Sequence, residues 1–161
     1  MAASLRFTEA RSGLDTTAAL LDDLAPANFA WLLGALAVPM EVAAIHAMWT
    51  GPEISAPIPA GAVSATLAGV ALPLENATIM PQPGDIVLTW LPPRVWGGGP
   101  APVFDLGLYY GPGARCLFPI GWQAGSVVAR VAAADVPDFA RACAAIRRNG
   151  ACTLRIAATA A

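Results

Sequence analysis

The sequence predicts a mainly β architecture, an antiparallel barrel or sandwich decorated by helices. Three observations predict it. From about residue 41 to residue 132 strand-like runs follow one another, so the strand–helix–strand rhythm of a parallel sheet is missing. Residues 86–91, IVLTWL, have almost no polar face, as in a strand covered on both sides. The turn Pro81-Gln82-Pro83-Gly84-Asp85 stands directly before that run and fixes how the chain enters it. A closed barrel accounts for the second observation: one face looks into the interior, and a helix or a neighbouring subunit covers the other.

Taken in order, Leu5, Phe7 and Glu9 alternate with Arg6 and Thr8 and predict a first strand, ended by Arg11-Ser12-Gly13. Asp15 is placed to cap a helix over residues 16–24. Pro26 suits the first turn of a second helix over 27–36, with Phe29, Leu32, Leu33 and Leu36 on one side. The two short helices would plug or cover the sheet. Residues 41–49 are read as a strand between Pro39 and Thr50-Gly51-Pro52. Residues 54–58 form another, and Pro57 predicts an edge or a bulge there. Residues 61–69 read as a loop or irregular strand.

After the central strand, Pro92-Pro93 and Gly97-Gly98-Gly99-Pro100 make a long hairpin loop. It has no Gly-Lys-Ser/Thr continuation and opens no helix, so it is not a phosphate loop. Residues 103–110 predict a strong strand with Phe104, Leu106, Leu108 and Tyr110 on one face, and 126–132 another. Asp135 is placed to cap a helix over 135–148, with Pro137 in its first turn and Asp138 favourable to the dipole. Phe139, Cys143 and Ile146 form its core stripe, and Asn149-Gly150 ends it. Cys152, Leu154 and Ile156 alternate as a last strand, followed by an Ala-rich end expected to fray.

Composition bounds the function. Hydrophobic residues make up 57% of the 161 and charged residues 12%, roughly half the usual charge. Such a thin charged coat predicts apolar surface in a subunit interface, most simply that of a two-fold homodimer. All nine basic residues are Arg, and a net charge of −2 gives no footprint for nucleic acid. The apolar run 29–40 contains Pro39 and is too short to span a bilayer. No export signal is apparent, and three cysteines without CxxC spacing suit a reducing compartment, so a cytoplasmic protein is expected. Cys143 and Cys152 read as core, and Cys116 as a residue near an exposed loop.

The segments RFTEARSG, HAMWTGPE, LENATIMPQPGDIVL and FARACAAIRRNGACTLRI together resemble a bacterial family of unknown function with a cyclophilin-like fold. The resemblance covers nearly the whole chain. It implies a single domain over residues 1–161, a closed eight-stranded cyclophilin-like β-barrel capped by helices. It implies no activity, because such barrels also occur in subunits of bacterial amide-bond hydrolases such as oxoprolinases. Cyclophilins use an arginine in a Phe-His-Arg-like motif and a Gln-Phe-Phe run. This chain has neither, and its single His46 is followed by Ala47, so no prolyl isomerase activity is expected.

The candidate ligand-binding residues are His46, Trp49, Glu53, Glu75 and Asn76. A Ser-His-Asp triad would have to use His46, and no Gly-x-Ser-x-Gly elbow is present. One histidine with scattered acids such as Glu53 and Glu75 is a poor metal set, so neither metal nor cofactor is expected. Glu53 and Glu75 both stand in apolar contexts, where a carboxyl can take up acid–base work. Glu75-Asn76 precedes a proline-locked turn and could equally pin that turn. If Ile45 and Trp49 face the core, His46 faces a cleft. Trp96, beside three glycines, has little local structure to bury it and is expected over a cleft or on a partner. The chain then reads as a barrel that binds a small polar ligand. The alternative is an enzyme, either a hydrolase using His46 and carboxylates or a divergent prolyl isomerase.

Overall fold

The computed structural model describes residues 3–160. Strands β1 (Ser4–Glu9) and β2 (Leu14–Leu20) form a hairpin, followed by helix α1 (Pro26–Ala35). Next come β3 (Met40–His46), β4 (Glu53–Ile58), a 3-10 turn at Ala60–Ala62 and the short helix α2 (Ala65–Ala68). The short strand β5 (Ala77–Thr78) leads to β6 (Asp85–Leu91) and β7 (Val103–Tyr109). A small hairpin, β8 (Leu117–Phe118) and β9 (Gly121–Trp122), precedes β10 (Gly125–Val131), helix α3 (Val136–Asn149) and β11 (Cys152–Thr159).

The order β2–β1–β11–β3–β4–β7–β6–β10 closes on itself, because β10 also pairs with β2 from Ala129↔Leu20 to Val131↔Ala18. The result is a closed, antiparallel, eight-stranded barrel with a few helices, as the sequence predicts.

Strand β2 replaces the helix expected over 16–24. Its buried residues are Leu14, Thr16, Ala18 and Leu20, a period of two that the alanines obscure. Asp15 caps nothing; it accepts two hydrogen bonds from Arg6 across the hairpin, at 2.8 and 2.7 Å. Barrel closure overrides local helix propensity here, since only β2 joins β1 to β10. Three smaller expectations also change. The Ala-rich end is held by pairing of β11 with β1 out to Ser4↔Thr159. The expected loop at 61–69 holds the 3-10 turn and α2. Asp135 precedes α3 without a side-chain capping bond.

Strand β4 lies inside the sheet, not at its edge. Its ladder to β3 stops at Ile45↔Ser55, two residues before Pro57, so on that side the proline does stand at an edge. On the other side β4 pairs with β7 along its whole length.

The barrel interior is filled. Leu5, Phe7, Ile54, Ile86, Leu88, Phe104, Leu106 and Leu108 meet there, and α1 and α3 add Trp31, Leu32, Phe139, Cys143 and Ile146 to the same core. Trp31 stacks on Phe104, with ring centroids 4.4 Å apart, and donates its indole N–H to Leu67 O at 3.0 Å. A second, smaller cluster lies on the outer face of β6 and β7. Val87, Tyr109 and Val127 are covered there by Ala114 and Cys116, with Leu21 and Phe118 against them. Part of the outer face of the central strand is thus covered by the chain's own 111–118 segment rather than by a helix. Cys116 is buried rather than near the surface, because it is part of that cover.

Replacing Trp31 with Ala should remove the stacked plug and destabilise the barrel by about 3–5 kcal/mol. Urea denaturation should show a lower midpoint with an unchanged slope; a shift below about 1 kcal/mol would mean that α1 is not part of the core.

Candidate functional site

The site follows from strand parity. With Phe104, Leu106 and Leu108 turned inward, β7 presents Val103, Asp105, Gly107 and Tyr109 outward. The register sets Glu53 opposite Tyr109, Ser55 opposite Gly107 and Pro57 opposite Asp105. On the other side Thr89 stands opposite Asp105 and Leu91 opposite Val103. Two acids therefore share one outward face, with Gly107 between them. A Cβ at Gly107 would run into the Glu53 carboxylate and the Tyr109 ring, so the glycine makes the space that Glu53 fills.

Three segments roof this face. The loop after β3 brings Trp49, the β6–β7 loop brings Trp96, and β8 brings Phe118. Trp96 meets both neighbours edge to face, Trp49 at 6.3 Å and Phe118 at 6.1 Å between centroids. The enclosed space is about 190 Å³, with Thr89, Leu91 and Val103 completing its walls. At roughly 30 Å³ per water molecule it would hold about six waters. The larger hollow between β1–β2 and β11 is an open surface groove, and another of about 280 Å³ beside Asn28, Leu88 and Trp90 holds no acid; the smaller pocket is the one lined by two buried acids.

Both acids are buried, Glu53 to 2% exposure and Asp105 to 8%. Glu53 accepts a hydrogen bond from the Thr50 hydroxyl through Oε2. Ser55 Oγ bridges to Asp105 Oδ1 and Oδ2 at 2.9 and 3.0 Å. Burial pushes Glu53 up to about 8; the Asp105 charge adds to this, and the bonds from Thr50 and Tyr109 oppose it. Burial also pushes Asp105 up to about 6, against the bonds from Ser55 and the Ala56 N–H. Burial of both carboxyls and the Asp105 charge on Glu53 together disfavour full ionisation of the pair near neutral pH. Burial, then the Glu53 charge, drives the Tyr109 phenol up, and its hydroxyl lies 3.6 Å from Cys116 Sγ. Among the described residues no ion pair reaches Glu53 or Asp105.

His46, Trp49 and Glu53 of the sequence candidates come together around this pocket. His46 forms part of its wall, but its ring turns away and meets Tyr110 Oη at 2.7 Å. The expected parity of β3 is reversed: Ile45 is 51% exposed, while Val42 and Ala44 are buried. The reason is Glu41, which shares a face with Ile45. Turning Ile45 inward would bury that carboxylate, which costs more than exposing one isoleucine. Burial first, then the Arg147 charge, holds His46 below its ordinary value.

Glu75 and Asn76 lie elsewhere and serve the fold. The Glu75 carboxylate accepts the Ala27 and Asn28 N–H groups at the start of α1, at 3.2 and 3.0 Å, and Asn28 Nδ2 at 2.7 Å. Asn76, with φ of 46°, donates from Nδ2 to Val127 O at 2.9 Å. A helix start across the molecule supplies better donors for Glu75 than any ligand would need to. The sequence reading missed Asp105, Phe118 and Gly107. An acid inside a strong apolar strand, at VFDLGLY, is the signal that points to Asp105.

The fold and site define a small closed β-barrel with an acid–aromatic pocket on its outer face. Residues 7–158 match the family model described as "Protein of unknown function (DUF3830)", and the chain belongs to that family. No curated protein sequence matches it. Among solved structures it is similar to McbB in complex with tryptophan, with 16% identity and a TM-score of 0.66 over 95% of this chain and 44% of that one. The chain thus spans less than half the length of that relative. It is also similar to the solution structure of the hypothetical protein AF2241 from Archaeoglobus fulgidus, with 15% identity and a TM-score of 0.48 over 96% and 92% of the two chains. The first likeness is one of fold.

The acid pair sets a pH dependence. A carboxyl whose folded value is raised stabilises the fold fully below its unfolded value, near 4.5 for Glu53, and loses that contribution as pH rises through about 8. The melting temperature should fall between pH 5 and 9, and Glu53→Gln should flatten that fall by several degrees, at about 2–4 °C per kcal/mol. Parallel profiles for wild type and variant would show that Glu53 does not titrate in this window.

Proposed function

We propose that this protein binds a small molecule in the pocket formed by Trp49, Trp96 and Phe118 over Glu53 and Asp105. The carrying observation is the buried acid pair beneath an aromatic roof. A few placed polar groups in an apolar hollow are what orient a small ligand, while the aromatic faces supply contact area. The size of the pocket suits a compact ligand or one end of a larger one. Tryptophan, bound in the similar McbB structure, makes aromatic amino acids and their fragments sensible first probes. His46 contributes to the wall, and Glu75 and Asn76 hold the start of α1 and β10 rather than the ligand.

A second reading, a hydrolase or another acid–base enzyme, is favoured by one feature. A carboxyl pair that holds one proton near neutral pH has both a donor and an acceptor ready for proton transfer. His46 does not join them, since its ring is engaged by Tyr110.

The same proposal takes the barrel as a single cyclophilin-like domain of a bacterial, cytoplasmic protein without prolyl isomerase activity. The three free cysteines agree with a reducing compartment. No described helix is long and apolar enough to cross a membrane. Exposed Ile45 and Met48 beside the pocket mouth support a homodimer in which a second copy lies near the site.

Titration with a set of small aromatic amines, alcohols and acids, followed by amide and indole NMR shifts, tests the pocket. Binders should shift Trp49, Trp96 and residues next to Glu53, and Trp96→Ala should weaken binding at least tenfold while leaving the melting temperature nearly unchanged. Shifts centred on α1 and Glu75, or none at all, would overturn the reading.

A further inference from the structure

Resting on that pocket, we propose that its ligand is a small organic cation, an ammonium group carried on a compact apolar or aromatic body. Three observations meet in this class. The floor holds two carboxyls, Glu53 and Asp105, and no arginine pairs with either among the described residues. A buried carboxylate without a cation is costly, and the hydrogen bonds from Ser55 and Thr50 offset that cost only in part. The roof is Trp49, Trp96 and Phe118, whose ring faces attract positive charge and repel negative charge. The remaining walls, Leu91, Val103 and Pro57, are apolar and suit the body of the ligand rather than a hydrated metal ion. A metal is also disfavoured because no group of three His, Cys, Asp or Glu side chains gathers among the described residues.

The cation would sit in the pocket against the two carboxyls that line it, Glu53 and Asp105. An ammonium group has three N–H donors and the pair offers acceptor oxygens on both sides of it. The titratable groups that line the site are Glu53, Asp105 and His46, and the His46 ring is turned to Tyr110. Near neutral pH the pair carries one negative charge and the ligand brings one positive charge, so the bound site is neutral and the proton stays on the pair.

The test compares three probes of one shape: benzylamine as the cation, benzyl alcohol as its neutral counterpart and benzoate as the anion. Binding to the full chain is followed at pH 7.5 by NMR shifts at Trp49 and Trp96 and by calorimetry in buffers of different ionisation enthalpy. Benzylamine should bind at least tenfold more tightly than benzyl alcohol with little net proton exchange, and benzoate should not bind. Asp105→Asn should abolish the preference for the cation while leaving benzyl alcohol unaffected. If benzyl alcohol or benzoate binds the pocket as well as benzylamine does, the cation assignment is wrong and the pocket stands. If no probe shifts the pocket residues, both fail. The wild-type probe series decides the question even where the Asn variant does not fold.

Discussion

The register of β4 on β7 is the constraint on which the rest of this structure depends. With Glu53 opposite Tyr109 and Ser55 opposite Gly107, the inward residues of both strands are Ile54, Ala56, Ile58, Phe104, Leu106 and Leu108. The same pairing that builds the core therefore gathers Glu53, Ser55, Asp105 and Tyr109 on the opposite face. A slip of one residue would turn the acids into the barrel and the aliphatics out, so core burial holds the site in place. Gly107 then leaves the room that the Glu53 carboxylate occupies. The geometry of the candidate site is a by-product of a register fixed by apolar burial.

Because α1 and α3 complete a packed interior, the acid–aromatic pocket lies on the outside of the barrel. That is unusual ground for buried charge, since an outer face is normally wet. Here Trp49, Trp96 and Phe118 shelter it, and burial raises both carboxyls above the ordinary carboxylate range. Keeping such a pair under an aromatic roof lowers stability, which an apolar layer like the neighbouring Val87, Val127 and Cys116 cluster would not. The contrast between the two patches on one face separates a surface that only closes the fold from one that keeps polar groups in reserve.

Much of the barrel was legible from period-two alternation and turn residues, because β6, β7, β10, β11 and α3 carry both signals strongly. Strand β2 was not, since its alanines and Asp15 imitate a capped helix; only the closure of the sheet, a long-range requirement, decides it. Half of the site was legible too. Glu53 and Trp49 stood out beside a Gly-Pro turn, and Trp96 beside its glycines. Glu75 stood out equally, yet its partners lie 47 and 48 residues away at the start of α1, a contact no local pattern reveals. Asp105 joins Glu53 only through cross-strand register, and His46 takes its orientation from Glu41, five residues earlier on the strand. Sequence marks unusual residues; pairing decides which of them meet.

Glu53 and Asp105 are two buried carboxyls coupled by charge, and carboxyl carbon NMR of selectively labelled protein measures that coupling directly. Glu53 Cδ and Asp105 Cγ should both titrate above the ordinary carboxylate range, with the higher step on Glu53, and Asp105→Asn should bring the Glu53 step down. Two independent titrations near pH 4, unchanged by replacing the partner, would contradict the account.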